Sequence, residues 1–227
     1  VRYDYKTNKN LIDTYLWGTF YSPTFNSSSI EIRDGARYYI DFVLDYDLPE
    51  NSNSVVNETG YYTVTTTGKY EVSRYSMSPV FTDTTTLLNN EIPLVNPLAS
   101  LDGYVKGIFF LVHTFKQPED QKSYKWNLSY NTQDMVVEED GTRIYDVFIR
   151  GTIDGSPGTK TPTDGGVKNA YDMKYYVETA AATEKGLKKD VVNIRFNYVS
   201  EIKDEKIVWK KTEIVPVSVD LILADEK

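Results

Sequence analysis

The chain has 227 residues, with 25 Lys plus Arg against 33 Asp plus Glu and a formal net charge of −8; nucleic acid is repelled on average, and no segment interleaves basic and aromatic residues densely enough to offset that. Cys is absent and His113 is the single histidine, which excludes thiol nucleophiles, thiolate zinc sites, iron–sulfur ligation and any His-pair metal site, without fixing the compartment. The length suits one large β domain or two of ordinary size, either able to bury a core without metal or disulfide, and no apolar run approaches the roughly 20 residues of a membrane-spanning helix.

The chain opens at Val1 on VRYDYKTNKN, a polar stretch without targeting character, as expected of a mature or trimmed chain; these residues are expected to be loose. In LIDTYLWGTF, Tyr15, Trp17 and Thr19 share one strand face with Tyr21, so a strand is read here in preference to a helix, ended by Ser22 and Pro23. Asn26 to Ser29 form a loop. In RDGARYYIDFVLDYDLPE the alternation is clean: Tyr38, Ile40, Phe42, Leu44 and Tyr46 fall on one face, Arg37, Asp41 and Asp45 on the other, giving a strand with one dry and one wet side. Residues 49–59, PENSNSVVNET, read as a polar, mobile loop, and GYYTVTTTGKYEVSR as two β segments turned at Gly68.

The stretch SPVFTDTTTLLNNEIPLVNPLAS carries Pro79, Pro93 and Pro97 with little strict alternation. Proline removes ladder donors and restricts its predecessor, so the boundary between two units is placed here, with residues 1–96 forming the first and 97–227 the second. The second opens on GYVKGIFFLVHTF, where Ile108, Phe110 and Val112 lie on one strand face and Phe109, Leu111 and Phe115 on the other; a strand apolar on both faces is central to its sheet. YKWNLSY follows, then MVVEE and TRIYDVFIRGTI around the hairpin signal Asp140–Gly141, with Tyr145, Val147, Ile149 and Ile153 on one face.

Residues 154–166, DGSPGTKTPTDGG, are turn chemistry throughout and read as structureless. NAYDMKYYVETAAATEKG is ambiguous between helix and strand; a strand is assigned through Tyr176 with a short helical turn after it. VNIRFNYVSE places Val192, Ile194, Phe196 and Tyr198 inward, and the closing segments EKIVWKKTEIV and VSVDLIL read as strands, the latter with Val217, Val219, Leu221 and Leu223 on one face. A succession of such strands is the signature of a sandwich or barrel.

The order GARYYIDFVLDYDL, a Thr- and Tyr-rich pair of strands, a proline-bearing connector and then SLDGYVKGIFFLVHTF resembles the NigD-like proteins of Bacteroidetes over most of the chain, from about Asp34 to the end. The resemblance implies an all-β chain with an N-terminal OB-type barrel and a C-terminal β-sandwich, exported to the cell envelope and lipid-anchored in the periplasm, outer membrane or cell surface. It implies no catalytic residues and no cofactor; a bacteriocin-immunity role is suggested for the family by operon context. The family's lipid-bearing Cys is missing from this sequence.

His113 shares parity with Phe109, Leu111 and Phe115 and is read as a structural histidine, satisfied by a hydrogen bond. Ser100 and Asp102 lie close together, but no nucleophile elbow accompanies them. Asp45, Asp47, Glu138, Glu139 and Asp140 fall at turns or on outward parity, where a glycosidase pair, one member with a raised pKa, is not expected. No EF-hand or phosphate-binding glycine loop occurs. The 19 Tyr and 3 Trp are mainly strand residues, or else a platform for sugars or a protein partner; parity does not place Trp126 or Trp209 on the surface. No catalytic or metal-binding residue is assigned, and the ligand-binding residues are unknown. The expected role is a non-enzymatic envelope module with a protein or glycan partner and no nucleic acid; the alternative is carbohydrate binding or processing, marked by close carboxylates beside aromatic rings in a concave pocket.

Overall fold

The computed structural model describes residues 1–14, 17–27, 32, 35–79, 82–95, 97, 99, 103–121, 123–131 and 136–224. The chain is mostly β and divides into two compact units, Val1–Ser73 and Arg74–Lys227.

In the first unit, strands Arg2–Asp4, Lys9–Asp13, Thr19–Tyr21 and Tyr62–Thr63 form one sheet, and Tyr38–Val43 pairs with Thr65–Glu71 in another. Ile12, Phe20, Phe25 and Val64 make the core between them, with Tyr38, Ile40, Phe42 and Leu44 packed against it. This is the OB-type barrel, and the dry face read from alternation is the one that packs. Tyr46, past the strand's end, is exposed instead.

The opening residues are not loose, since Arg2 pairs with Leu11. LIDTYLWGTF is not one strand but an antiparallel pair, Leu11 opposite Tyr21, closed by Thr14 N–H donating to the Gly18 carbonyl; Tyr15 lies outside the described residues. The stretch 49–59 is ordered as a 3₁₀ turn, Pro49–Asn51, and a helix, Asn53–Thr59, ended by Gly60 at φ 75°. Buried Asn51 explains why: its Nδ2 donates to the carbonyls of Asp45 and Thr63, and its Oδ1 accepts from Thr63 N–H. Gly68 does not turn the chain. It lies within Thr65–Glu71 opposite Asp41 at a register shift, where a Cβ would come 2.6 Å from Asp41 Oδ2, so the glycine serves close approach at a bulge.

The second unit is a β-sandwich. One sheet orders Ser73–Ser76, Pro162–Asp172, Ile108–Pro118 and Tyr104–Val105; the other runs Tyr124–Ser129, Arg143–Ile153, Val191–Lys203 and Lys206–Lys211. Phe109 against Phe196, at 5.4 Å between ring centroids, and Phe115 against Trp126, at 5.5 Å, join the two faces. The central strand has one wholly buried side, Phe109, Leu111, His113 and Phe115, while Phe110 and Val112 on the other are half-buried.

The boundary at residues 96 and 97 expected from the prolines differs from the division at 73 and 74. Segment 74–96 belongs to the second unit because its hydrogen bonds lie there. Glu91–Ile92 pairs with Gly151–Thr152, Leu94 bridges to Phe115, and Arg150 closes a buried bidentate pair with Glu91 at 2.5–2.6 Å while also donating to the carbonyls of Asp83 and Thr86.

Three further departures fall in this unit. Residues 162–166 are not structureless, because Pro162–Asp172 is in register with Ile108–Pro118 along its whole length. Val219–Ala224 is a helix and not a strand. KYYVETAAATEKG is the helix Lys174–Gly186, burying Val177, Ala180, Ala181 and Glu184; that i, i+3, i+4, i+7 stripe, filled with alanine, prevails over the local Tyr–Tyr–Val strand preference. The helix completes the crossover required because Arg143–Ile153 and Val191–Lys203 run parallel.

Candidate functional site

That crossover builds the cleft. The helix lies over the start of strand Arg143–Ile153, and between them is a cavity of about 290 Å³. Tyr175, Tyr176, Thr179 and Thr183 face it from the helix, positions one or two turns apart that share a stripe. Tyr145 and Asp146 come from the strand, and Tyr130 with Asn131 from the end of Tyr124–Ser129.

The rings stand at steep mutual angles. Tyr130 and Tyr176 are 4.3 Å apart at 42°, and Tyr145 meets Tyr176 at 6.2 Å and 81°. Tyr175 is 76% exposed, on the rim. Burial drives the Tyr176 phenol well above its ordinary range; burial, aided by the hydrogen bond to Glu184, pushes Tyr145 up to about 12. The Tyr130 phenol is raised by burial and, to a lesser degree, by Tyr175.

Carboxylates are present but committed. Asp146 accepts a bidentate pair from Arg195 Nε and Nη2, each at 2.8 Å, and a third bond from Asn197 Nδ2 at 2.8 Å. Burial pulls its pKa upward, yet Arg195 and Asn197 outweigh it and leave it below the usual carboxylate range. Behind the tyrosines, buried Glu184 accepts from Arg143 Nε at 2.8 Å and from the Tyr145 hydroxyl at 2.5 Å.

The residues weighed from sequence lie elsewhere. His113 is fully buried, stacked on Trp126 at 4.8 Å and 13°, with Nε2 2.7 Å from the Tyr171 hydroxyl. Burial lowers its pKa from 6.5 to about 3, the setting of a neutral core histidine. Trp126 is buried, and Trp209 donates from its indole N–H to the Thr84 carbonyl. Asp45 and Asp140 sit in turns, each accepting a backbone N–H two residues on. Glu138 lies 3.9 Å from Arg195, and Glu139 is exposed. Ser100 and Asp102 lie outside the described residues. A second cavity of about 410 Å³, touched by Tyr75, Trp126, Lys125 and Arg150, has its cations already engaged, Arg150 by Glu91 and Lys125 by Asp154.

Sequence reasoning gives none of the cleft residues a functional role; it places Tyr145 only on a strand face. The available signal was helical periodicity through Tyr175, Thr179 and Thr183, which a strand assignment through Tyr176 conceals.

Residues 1–70 match the family model of a lipoprotein OB domain, a match ending close to the limit of the first unit. Among solved structures, the chain is similar to an uncharacterized protein from Parabacteroides merdae, 22% identical, with 96% of each chain covered and a TM-score of 0.81. It is also similar to a protein from Bacteroides fragilis described as a lipoprotein, 12% identical over 96% of each chain, TM-score 0.57. A NigD-like immunity protein from Bacteroides caccae is 9% identical over 86% of this chain and 81% of that one, but its TM-score of 0.47 is too low to argue from. At such identities the likeness shows the fold alone. Among curated proteins, none matches.

Proposed function

We propose that this chain is a non-catalytic binding module of the bacterial cell envelope, holding its ligand in the tyrosine cleft of the second unit. The observation that carries this reading is the commitment of the carboxylates found among the described residues in and behind the cleft, Asp146 to Arg195 and Glu184 to Arg143. General acid catalysis by a carboxyl needs a pKa raised toward the working pH, and a glycosidase needs such a group opposite a second free carboxylate. Asp146 is shifted in the opposite direction. What is left is an aromatic, hydroxyl-bearing concavity, suited to holding a ligand. The envelope placement is supported by the lipoprotein OB-domain match over residues 1–70.

Fractionation of the native bacterium tests the compartment: the protein is expected with the envelope, and recovery in the cytosol sinks that part of the reading. Incubation with envelope polysaccharides, followed by reducing-end release, tests the chemistry. No turnover is expected; turnover abolished by Asp146→Asn would replace the binding module with an enzyme.

A further inference from the structure

The cleft's chemistry narrows its ligand. We infer that it takes a neutral saccharide, a reading that rests on the tyrosine cleft being the binding site.

Charge comes first. Among the described residues neither Lys nor Arg lines the cavity, and the guanidiniums beside it are engaged, Arg195 bidentate to Asp146 and Arg143 on Glu184. An anionic ligand would be desolvated without a counter-charge, and a cationic one would meet a carboxylate already holding three donors; each costs free energy that an uncharged ligand does not.

Polarity comes second. The hydroxyls of Tyr130 and Tyr175 have no hydrogen-bond partner among the described residues, while Thr179 and Thr183 donate to the helix carbonyls of Tyr175 and Thr179 at 2.8 and 2.9 Å and keep their oxygen lone pairs toward a ligand. A purely apolar ligand would strand these groups. A pyranose matches both demands, since its C–H face lies on the electron-rich face of a tyrosine and its hydroxyls both donate and accept.

Shape comes third. The strand lining the cleft is paired on both sides at Ile144, with Val136 and with Asn193, so at that residue it offers no free edge to an extended peptide. A cavity of about 290 Å³ is at the small end of ligand sites, in keeping with one or two sugar rings.

The test is titration of the full chain, by calorimetry and by NMR of ring-labelled tyrosine, with neutral di- and tetrasaccharides of glucose, mannose, xylose and N-acetylglucosamine. Galacturonic acid oligomers and a pool of short peptides form the other arms. One neutral series is expected to bind with Kd of about 1 mM or tighter. Tyr175→Ala should weaken it at least about tenfold and Tyr175→Phe by less, while Tyr70→Ala, removing an exposed ring of the first unit, should leave it unchanged. Circular dichroism and thermal melts verify that each variant folds. Failure of every neutral sugar to bind at that level overturns the inference. Uronate or peptide binding lost with Tyr175→Ala, without neutral-sugar binding, overturns the saccharide while keeping the cleft as the binding site. Sugar binding indifferent to Tyr175→Ala but lost with Tyr70→Ala overturns both.

Discussion

The two units solve the same problem with different reserves. The first closes Val1–Ser73 around Ile12, Phe20, Phe25 and Val64 and covers that core with side chains such as Tyr38 and Phe42 that stay half-exposed. The second encloses long strands whose inward residues, among them Phe109, Leu111, Ile149, Ile194 and Phe196, have no solvent contact. Small domains bury a lower fraction of their surface and are correspondingly marginal, so equal damage should cost the first unit more of what it has. The second has enough reserve to keep an ion pair and a histidine inside and to carry a cleft at the edge of its core.

The sharpest way to break this comparison is a matched pair of ring deletions. Phe20→Ala and Phe109→Ala should each cost about 3–5 kcal/mol. Phe20→Ala is expected to abolish amide protection in residues 1–73 while residues 74–227 stay protected, as followed by hydrogen exchange. Equal loss in both units would show a single cooperative structure and end the distinction.

The connector gives the next largest effect. Glu91→Ala leaves Arg150 buried and unpaired, and urea unfolding of the second unit should register a loss of about 3–5 kcal/mol. Glu119→Ala, removing the exposed partner of Lys160, should change stability by less than about 1 kcal/mol. If Glu91→Ala proves as mild as Glu119→Ala, segment 74–96 is not held to the second unit in the manner described.

Acid should act through His113. Its folded pKa, about 3, lies below its ordinary 6.5, so between these values the unfolded chain binds the additional proton. Its contribution is intact above pH 6.5 and is lost as pH falls toward 3, by about 1.4 kcal/mol per pH unit. As the single histidine, it should dominate the decline of about 2 kcal/mol expected between pH 6.5 and 5, above the range in which ordinary carboxylates titrate. Stability of His113→Gln should be flat there; an unaltered slope would assign the acid sensitivity elsewhere.

The smallest effect belongs to the cleft. Tyr175 is mostly exposed, and Tyr175→Ala should move the melting free energy by no more than about 0.5 kcal/mol. A large destabilisation would make Tyr175 a packing residue and remove the reason to treat the cleft as a ligand site.

Alternation identified Tyr38 to Leu44 as a face that packs, put Val192, Ile194, Phe196 and Tyr198 inward and set His113 in the core, while the Asp–Gly pair marked the turn at Asp140–Gly141. These are local patterns whose period is a property of consecutive residues. The rest was decided by partners distant in sequence. Gly165 and Gly166 read as turn chemistry until Phe115 and Thr114 pair with them, Gly68 as a turn until Asp41 is opposite, and the proline-rich connector as a boundary until Arg150 takes Glu91. The cleft needed more still: a helix chosen by its buried Val177–Ala181–Glu184 stripe, a parallel strand pair that the helix spans, and guanidiniums from Arg143 and Arg195 arriving to neutralise Glu184 and Asp146. Local periodicity carries no information about which strand will lie alongside, so the inward faces of several strands were legible in the sequence while the concavity they enclose depended on tertiary pairing.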